Sequence, residues 1–228
     1  MFFISVISLQ PVINHINIII FLNQTHMKKL LVSTMMLLAT VATYAQQAVG
    51  TLTLQPKVAL NIASITESDG SDPRIAPAIG AELEYQFTDI FSLSGGVIYS
   101  MQGSKESADG IDGTIKLDYI NVPILANVYV TKGLAVKLGL QPGFMVNDKA
   151  KVSSGGASAE VGLEEALAAS GAPVSLKKFD LSIPVGLSYE FNNIVLDARY
   201  NWGVTKLFEN EDPKNSVFQI SLGYKFTL

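Results

Sequence analysis

The sequence contains no cysteine and only two histidines, His15 and His26. The absence of cysteine excludes disulfide bonds, thiolate metal sites and cysteine nucleophiles. Charged residues make up only 16% of the 228 residues, and a formal net charge of −4 without a basic block makes nucleic acid a poor partner. The hydrophobic content of 48% is too high for a disordered chain, and the length suits one domain.

The N-terminal region has the features of an export signal. Lys28 and Lys29 form a short positive segment, residues 30–41 are apolar, and Ala45 is a small residue suited to cleavage. The apolar run is short for a membrane span, which needs about 20 residues. We therefore predict a signal peptide over residues 27–45.

A signal peptide that starts at Met27 leaves residues 1–26 without a role. We interpret this stretch as an upstream extension that reflects a start codon assigned too early. The mature domain then covers residues 46–228 and retains neither histidine. A mature chain without cysteine or histidine lacks the usual imidazole base and the common transition-metal ligands.

Hydrophobic residues alternate with polar or small ones through most of the mature region. This period of two predicts β-strands, and strands of about ten residues are long enough to cross a bilayer when tilted. The predicted strands cover residues 50–63, 75–87, 91–101, 114–130, 134–147, 178–191, 194–205 and 215–228.

Short and long connections alternate strictly between these segments. The short links are 88–90, 131–133 and 192–193, and the long ones, rich in Gly, Ser, Asp, Asn and Pro, are 64–74, 102–113, 148–177 and 206–214. In an up-and-down barrel this order places every long loop at one end. The expected fold is therefore all-β: an eight-stranded antiparallel up-and-down transmembrane β-barrel with short periplasmic turns and long extracellular loops.

The composition of the two strand faces indicates which one meets lipid. The polar face consists mainly of Gly, Ser, Asn and Gln with a few charges, which suits the narrow, filled lumen of an eight-stranded barrel. The apolar face carries aromatic residues near both strand ends, as expected at two membrane interfaces. A soluble barrel, with its apolar face inward, is the alternative.

Three stretches carry a resemblance to a known family: residues 119–144, 185–208 and 215–226. They are similar to the outer-membrane β-barrel domain family, often labelled the porin family, and the resemblance extends over residues 47–228. It implies location in the cell outer membrane, contact with outer-membrane lipid, and no cofactor or catalytic residues.

The C-terminal strand also resembles the signal that the barrel-assembly machinery reads. Ser221, Gly223, Phe226 and Leu228 match a pattern of a polar residue, a glycine and two alternating hydrophobic residues. The terminal leucine replaces the more common phenylalanine. The resemblance implies that this machinery is a partner of the chain.

Eight charged residues on the polar face are the candidate site. They are Lys57, Glu82, Glu84, Lys137, Asp180, Asp197, Arg199 and Lys225. We predict a structural network of ion pairs in the lumen, because unpaired charges in a narrow interior are costly. The alternative is a catalytic site that contains Asp180, Asp197 and Arg199, but no spacing in the sequence favours it, and we expect neither enzyme activity nor a metal site.

The longest predicted loop, 148–177, contains a stretch with helical spacing. Val161, Leu163, Ala166 and Leu167 would lie along one side of a helix of two to three turns. Three roles stay open for this loop: a surface excursion, a cover over the barrel mouth, or a contact with an extracellular ligand or protein.

The leading functional hypothesis is an integral outer-membrane barrel with a structural or binding role and a lumen mostly filled by side chains. The first alternative, which the family label implies, is a narrow passage for small solutes. Open aqueous channels, however, usually need about 16–18 strands. An outer-membrane enzyme is a further alternative.

Overall fold

The computed structural model describes residues 47–66, 72–108, 111–154, 157–169, 176–208 and 212–228. The predicted upstream extension and signal peptide lie outside the described residues. Within these ranges the strands are β1 (Leu52–Ile65), β2 (Asp72–Thr88), β3 (Phe91–Ala108), β4 (Ile111–Asn121), β5 (Ile124–Thr131), β6 (Leu134–Ser154), β7 (Ala157–Gly162), β8 (Phe179–Phe191), β9 (Ile194–Gly203), β10 (Asn215–Tyr224) and β11 (Phe226–Thr227). One short helix, α1, covers Leu163–Ala169.

The strands form a closed antiparallel ring. Neighbouring strands pair in chain order, and β1 pairs with β2 on one side and with β10 and β11 on the other, which closes the sheet. β4 and β5 share the position between β3 and β6, and β10 and β11 together form the last position. β7 pairs only with β6 and lies outside the ring. The ring therefore has eight positions, and the predicted up-and-down barrel is confirmed.

Two prolines explain why two of the eight strands are divided. Pro123 lies between β4 and β5, and Pro56 of β1 lies opposite the interval between Gly223 and Phe226. Proline has no amide hydrogen to donate to a neighbouring strand, so the hydrogen-bond ladder is interrupted there. The register between β1 and the C-terminal strand is the same on both sides of Pro56, so the interruption is local.

The short turn between β8 and β9 consists of residues that tolerate its backbone conformation. Asn192 and Asn193, which join β8 to β9, both have positive φ values, 47° and 70°. This combination is typical of the two-residue turns that match the twist of a hairpin, and asparagine tolerates it better than most residues. The sequence-based position of this turn is confirmed.

The predicted ranges of the loops 102–113 and 148–177 include residues that belong to strands. β3 extends to Ala108 and β4 begins at Ile111, while β6 extends to Ser154 and forms a hairpin with β7. The alternation of hydrophobic residues fades there because both strand faces are polar, as in the sequence from Gly103 to Glu106. Backbone pairing continues without that pattern, so hydrophobic periodicity alone placed the strand ends too early.

The outward and inward faces are reversed relative to a water-soluble protein. Large apolar side chains such as Trp202 and Leu222 are 59% and 52% exposed on the outside, whereas polar side chains fill the interior. This reversal is expected when the outer surface contacts lipid, and the soluble-barrel alternative is therefore wrong. No helix within the described ranges is long and apolar enough to cross a membrane.

Aromatic side chains pack against one another at both ends of this outer surface. At the short-turn end, the rings of Tyr85 and Phe87 are 4.8 Å apart between centroids, as are those of Tyr224 and Phe226. At the long-loop end, the ring centroids of Phe144 and Phe179 are 5.6 Å apart. Aromatic residues at both boundaries of an apolar band are typical of transmembrane barrels.

Candidate functional site

Asp197 and Arg199 form the centre of the lumen. They lie two residues apart on β9, so both side chains point inward, and they are 0% and 1% exposed. Arg199 donates to Asp197 through Nε, at 2.8 Å from Oδ1, and through Nη2, at 3.0 Å from Oδ2. Nη2 of Arg199 also lies 3.1 Å from Oε1 of Glu82 on β2. One guanidinium therefore joins two carboxylates from different strands.

Two lysines complete this five-charge cluster. Nζ of Lys57 lies 2.6 Å from Oε1 of Glu82, and Nζ of Lys137 lies 3.0 Å from Oδ2 of Asp197. Both lysines are less than 5% exposed. The cluster contains three cations and two anions, so its formal charge is +1.

A second charged cluster lies toward the short-turn end. Nζ of Lys225 is 2.9 Å from Oε2 of Glu84 and 2.7 Å from Oε2 of Glu190. The hydroxyl groups of Tyr129 and Ser92 donate to Glu84 at 2.6 Å and 2.5 Å. With two carboxylates and one ammonium, this cluster has a formal charge of −1, so the eight charges of the two clusters sum to zero.

The structure brings seven of the eight predicted residues into these two clusters and adds Glu190. Glu190 lies on the inward face of β8. Its place in the alternating pattern of that strand could have identified it from the sequence. Asp180 is the exception: it pairs in register with Gly143 near the long-loop end and accepts a hydrogen bond from Thr205 Oγ1 at 3.0 Å. The alternative site that combined Asp180 with Asp197 and Arg199 is therefore not brought together.

Glycines on neighbouring strands make room for the large charged side chains. Lys57 lies opposite Gly80 on one side and Gly223 on the other, and Arg199 lies opposite Gly186. A Cβ atom added at Gly186 would be 2.6 Å from the carbonyl oxygen of Ala198 and 2.7 Å from Cβ of Arg199. Small and large inward residues therefore complement each other across the lumen, as expected in a narrow barrel.

An apolar cluster lies at the long-loop end of the barrel. The barrel wall contributes Ile65, Leu117, Tyr119 and Met145, and the residues that cover them include Leu163, Leu176 and Leu207. Leu163 is the first residue of α1 and is 5% exposed, and Leu167 packs against the same cluster.

The predicted helix in the longest loop is present but begins later than expected. Val161, which the helical spacing placed on the apolar side, belongs to β7 and is 45% exposed. Leu163, Ala166 and Leu167 are in α1. The hairpin pairing of β6 with β7 continues through Gly162, and the backbone turns into the helix only after it.

Residues near the N-terminus of the described chain lie across the opposite end of the barrel. Nε2 of Gln47 donates to Oε1 of Glu190 at 3.0 Å, and the amide of Gly50 donates to the carbonyl of Gln86 at 2.8 Å. The uncharged side-chain amide of Gln47 therefore contacts the second charged cluster from the short-turn end.

Outside the membrane-spanning part, β7 is held by one carboxylate between two lysines. Glu160 accepts hydrogen bonds from Lys116 of β4 and from Lys149 of β6, whose Nζ lies 2.8 Å from Oε1. The hydrogen bonds from Lys116 and Lys149 lower the pKa of Glu160 to about 2. This carboxylate therefore stays ionised down to strongly acidic pH.

The four residues of the predicted assembly signal divide between the two barrel faces. Ser221 points inward and is 1% exposed, and Gly223 lies opposite Lys57. Phe226 and Leu228 are outside, 50% and 68% exposed. Their role as a signal stays a prediction.

The described residues contain no group of three or more Asp, Glu, His or Cys side chains that could hold a metal ion. All eight charged residues of the two clusters form direct ion pairs in a dense network of side chains. That arrangement can fix strand positions and fill space. The expectation that the protein is not an enzyme stays a prediction.

Comparison with known proteins identifies the family. The sequence profile described as "Outer membrane protein beta-barrel domain" matches residues 44–209. No curated protein gives a significant match.

The chain is similar to solved structures of several bacterial proteins. Ail, the attachment invasion locus protein of Yersinia pestis, crystallised with the heparin analogue sucrose octasulfate, is 22% identical with a TM-score of 0.48, covering 78% of this chain and 100% of Ail. Neisserial surface protein A is 16% identical with a TM-score of 0.47, covering 77% and 97%. OprG of Pseudomonas aeruginosa is 14% identical with a TM-score of 0.45, covering 80% and 99%.

The family match covers most of the chain, and the closed ring of strands agrees with it. The chain belongs to the outer membrane protein β-barrel domain family and is an outer-membrane protein.

Proposed function

We propose that this member of the outer membrane β-barrel family is a closed structural barrel that offers its long-loop end for binding and does not conduct solutes. The observation that carries the proposal is the filled lumen. The eight charged side chains of the two clusters are each at most 5% exposed, and within each cluster they form ion pairs between different strands. The apolar cluster under α1 lies above them.

A narrow passage for small solutes is the second candidate, and a specific observation favours it. Several inward polar atoms have no hydrogen-bond partner within the described ranges, among them Gln55 Nε2, Asn201 Oδ1, Gln219 Oε1 and Ser221 Oγ. Buried polar atoms usually find a partner, and ordered water is the common one. A file of water along the lumen would satisfy them.

Conductance of the purified protein in planar bilayers separates the two candidates. We expect the wild-type barrel to show no ion conductance, because the paired charges leave no continuous aqueous path. The double variant Glu82→Ser with Arg199→Ser removes one anion and one cation together, and we expect it to leak. Conductance of the wild type would overturn the closed-barrel proposal and support the passage.

We also propose that residues 27–45 are removed on export and that the C-terminal strand is read by the assembly machinery. The exposed positions of Phe226 and Leu228 on the outer surface support the second part, because a receptor can reach them there. The mass of the mature protein isolated from the outer membrane should correspond to a chain that begins at Gln46. A mature chain that retains Lys28 would contradict the cleavage.

The long-loop end is proposed to be extracellular, with the loop 148–177 as the surface that an extracellular ligand or protein meets. β7 supports this, because every residue from Ala157 to Val161 is exposed. Protease added to intact cells should cut within residues 157–169 and spare the Asn192–Asn193 turn. Cleavage at that turn alone would reverse the orientation.

A further inference from the structure

A groove on the outer surface lies where the apolar band ends at the long-loop end. It occupies about 730 Å³ between the start of β8 and the end of β9 and is lined by Lys177, Lys178, Phe179, Val204, Thr205 and Lys206. Three of the six lining residues are lysines, and neither the charged lumen nor the apolar cluster under α1 includes them.

The groove combines an apolar side with a cationic side. Phe179 is 46% exposed and packs against Phe144, another outward aromatic residue of the band. Val204, the residue directly after β9, is 37% exposed, and Trp202, two residues earlier, is 59% exposed. An aromatic belt marks the level of the lipid headgroups. The lysines next to this belt are therefore at headgroup level, beside side chains that contact acyl chains.

The charged residues that line the groove are all lysines. Nζ of Lys178 lies 3.3 Å from Oδ1 of Asp148, and Lys206 forms an ion pair with Asp212. Lys177 has no ion-pair partner within the described part of the chain. The six residues that line the groove therefore include three lysines and no carboxylate.

We propose that this groove binds the phosphate headgroup of an anionic membrane lipid in the leaflet around the long-loop end. The lysine ammonium groups contact the phosphate, and Phe179 and Val204 contact the acyl chains. Charge complementarity and continuity with the lipid-facing band favour a membrane lipid over a soluble anion. One basic side chain near a charged lipid surface contributes about 1 kcal/mol, which is roughly a fivefold preference for the anionic lipid.

The single tryptophan of the sequence, Trp202, reports on this site directly. The full mature barrel is reconstituted in phosphatidylcholine bilayers that contain a minor fraction of phosphatidic acid, and either lipid carries bromine on its acyl chains. Bromine quenches tryptophan only at short range. We expect brominated phosphatidic acid to quench Trp202 about fivefold more than its mole fraction predicts.

The variant Lys177→Gln, Lys178→Gln, Lys206→Gln should lose the preference and show quenching in proportion to mole fraction. A matched control, Lys105→Gln, Lys132→Gln, Lys151→Gln, removes three lysines elsewhere and should keep it. The folded state of each variant is checked by its shift on a semi-native gel. Proportional quenching of the wild type, or an unchanged preference in the groove variant, would overturn the proposal.

An inorganic phosphate titration distinguishes the lipid from the free anion. Phosphate at millimolar concentration should leave the preference intact, because it lacks the acyl chains that Phe179 and Val204 contact. Loss of the preference under these conditions would show a site for free phosphate and overturn the assignment to lipid. The bilayer conductance test of the closed barrel does not depend on any of these outcomes.

Discussion

Arg199 contacts both carboxylates of the five-charge cluster, and its guanidinium is 1% exposed. Removing one member of a buried ion pair is far more costly than replacing the whole pair by apolar residues, because the remaining charge keeps its desolvation cost without its partner. The contribution of the lumen to stability is therefore concentrated in a few side chains. Substitutions at these residues test whether the network is structural.

Replacing Arg199 by alanine should lower the free energy of unfolding by about 3–5 kcal/mol, the range for a broken buried ion pair. The measurement is the temperature at which the folded band on a semi-native gel converts to the boiled form. The control is Leu196→Val, on the lipid-facing side of the same strand, which should change the profile little. An unchanged profile for Arg199→Ala together with lost cellular function would instead indicate a functional site.

Gly186 provides the space that the Arg199 side chain occupies. Alanine at this position brings a Cβ atom within 2.6 Å of a backbone oxygen that cannot move away, and overpacking of this kind costs about 1–3 kcal/mol. The same gel assay should show a lower unfolding temperature for Gly186→Ala.

Gly95→Ala is the matched control, since its added Cβ atom has no neighbour closer than 3.9 Å. It should be neutral or slightly stabilising. Equal effects of the two alanines would contradict a lumen packed around Arg199.

At the scale of the elements, hydrophobic alternation predicts the strand segments that lie within the membrane. It does not predict how far the strands extend beyond the membrane. β9 was predicted over residues 194–205 and runs over Ile194–Gly203, because lipid on one face and lumen on the other impose the pattern. The extension of β3 to Ala108 was not predicted, because both strand faces carry polar or small residues from Gly103 to Glu106. Alternation along a strand predicts which residues point inward. The contacts between inward residues also depend on strand register, and the register places Asp180 away from the two clusters.

The helix α1 should be released when its apolar anchor is removed. Leu163→Asp places a carboxylate within the apolar cluster, so we expect faster protease cleavage between residues 157 and 178. Backbone pairing around the ring holds the barrel strands together, so the unfolding temperature should change little. Val161→Asp, at an exposed position two residues earlier, is the control and should leave cleavage unchanged. A Leu163→Asp chain cut at the wild-type rate would show that the helix does not cover the mouth.

The attachment of β7 should depend on pH through Glu160. Because its folded pKa lies near 2, below the ordinary value of 4.5, the ionised form stabilises the β6–β7 hairpin above pH 4.5. This stabilisation is lost as pH falls from about 4.5 to 2. Amide-exchange protection of residues 157–162, corrected for intrinsic rates, should fall across that window.

Glu160→Gln removes the titrating group while keeping a side chain of the same size. Its protection should be lower at neutral pH and should vary less between pH 4.5 and 2. A wild-type protection that is constant across this window would contradict the role of Glu160.

At the scale of the whole molecule, the two charged clusters, the apolar cluster above them and the N-terminal residues below them make one filled barrel. The eight charges of the two clusters sum to zero even though they come from strands far apart in sequence. Seven of them were predicted from their position on the polar face, where unpaired charges are costly. The neutral total could not be predicted, since it needed the register that adds Glu190 and sets Asp180 apart.

Cysteine labelling measures the closed lumen most directly, because the chain has no cysteine of its own. Ser92, Ser100 and Ser221 point inward at three depths, each at most 1% exposed, and serine-to-cysteine changes are nearly isosteric. In the membrane-inserted protein, a water-soluble maleimide should label none of these three cysteines until the barrel is unfolded, while Ser158→Cys on exposed β7 should react at once. Rapid labelling of all three inward positions in the folded protein would show a water-filled passage and contradict the account.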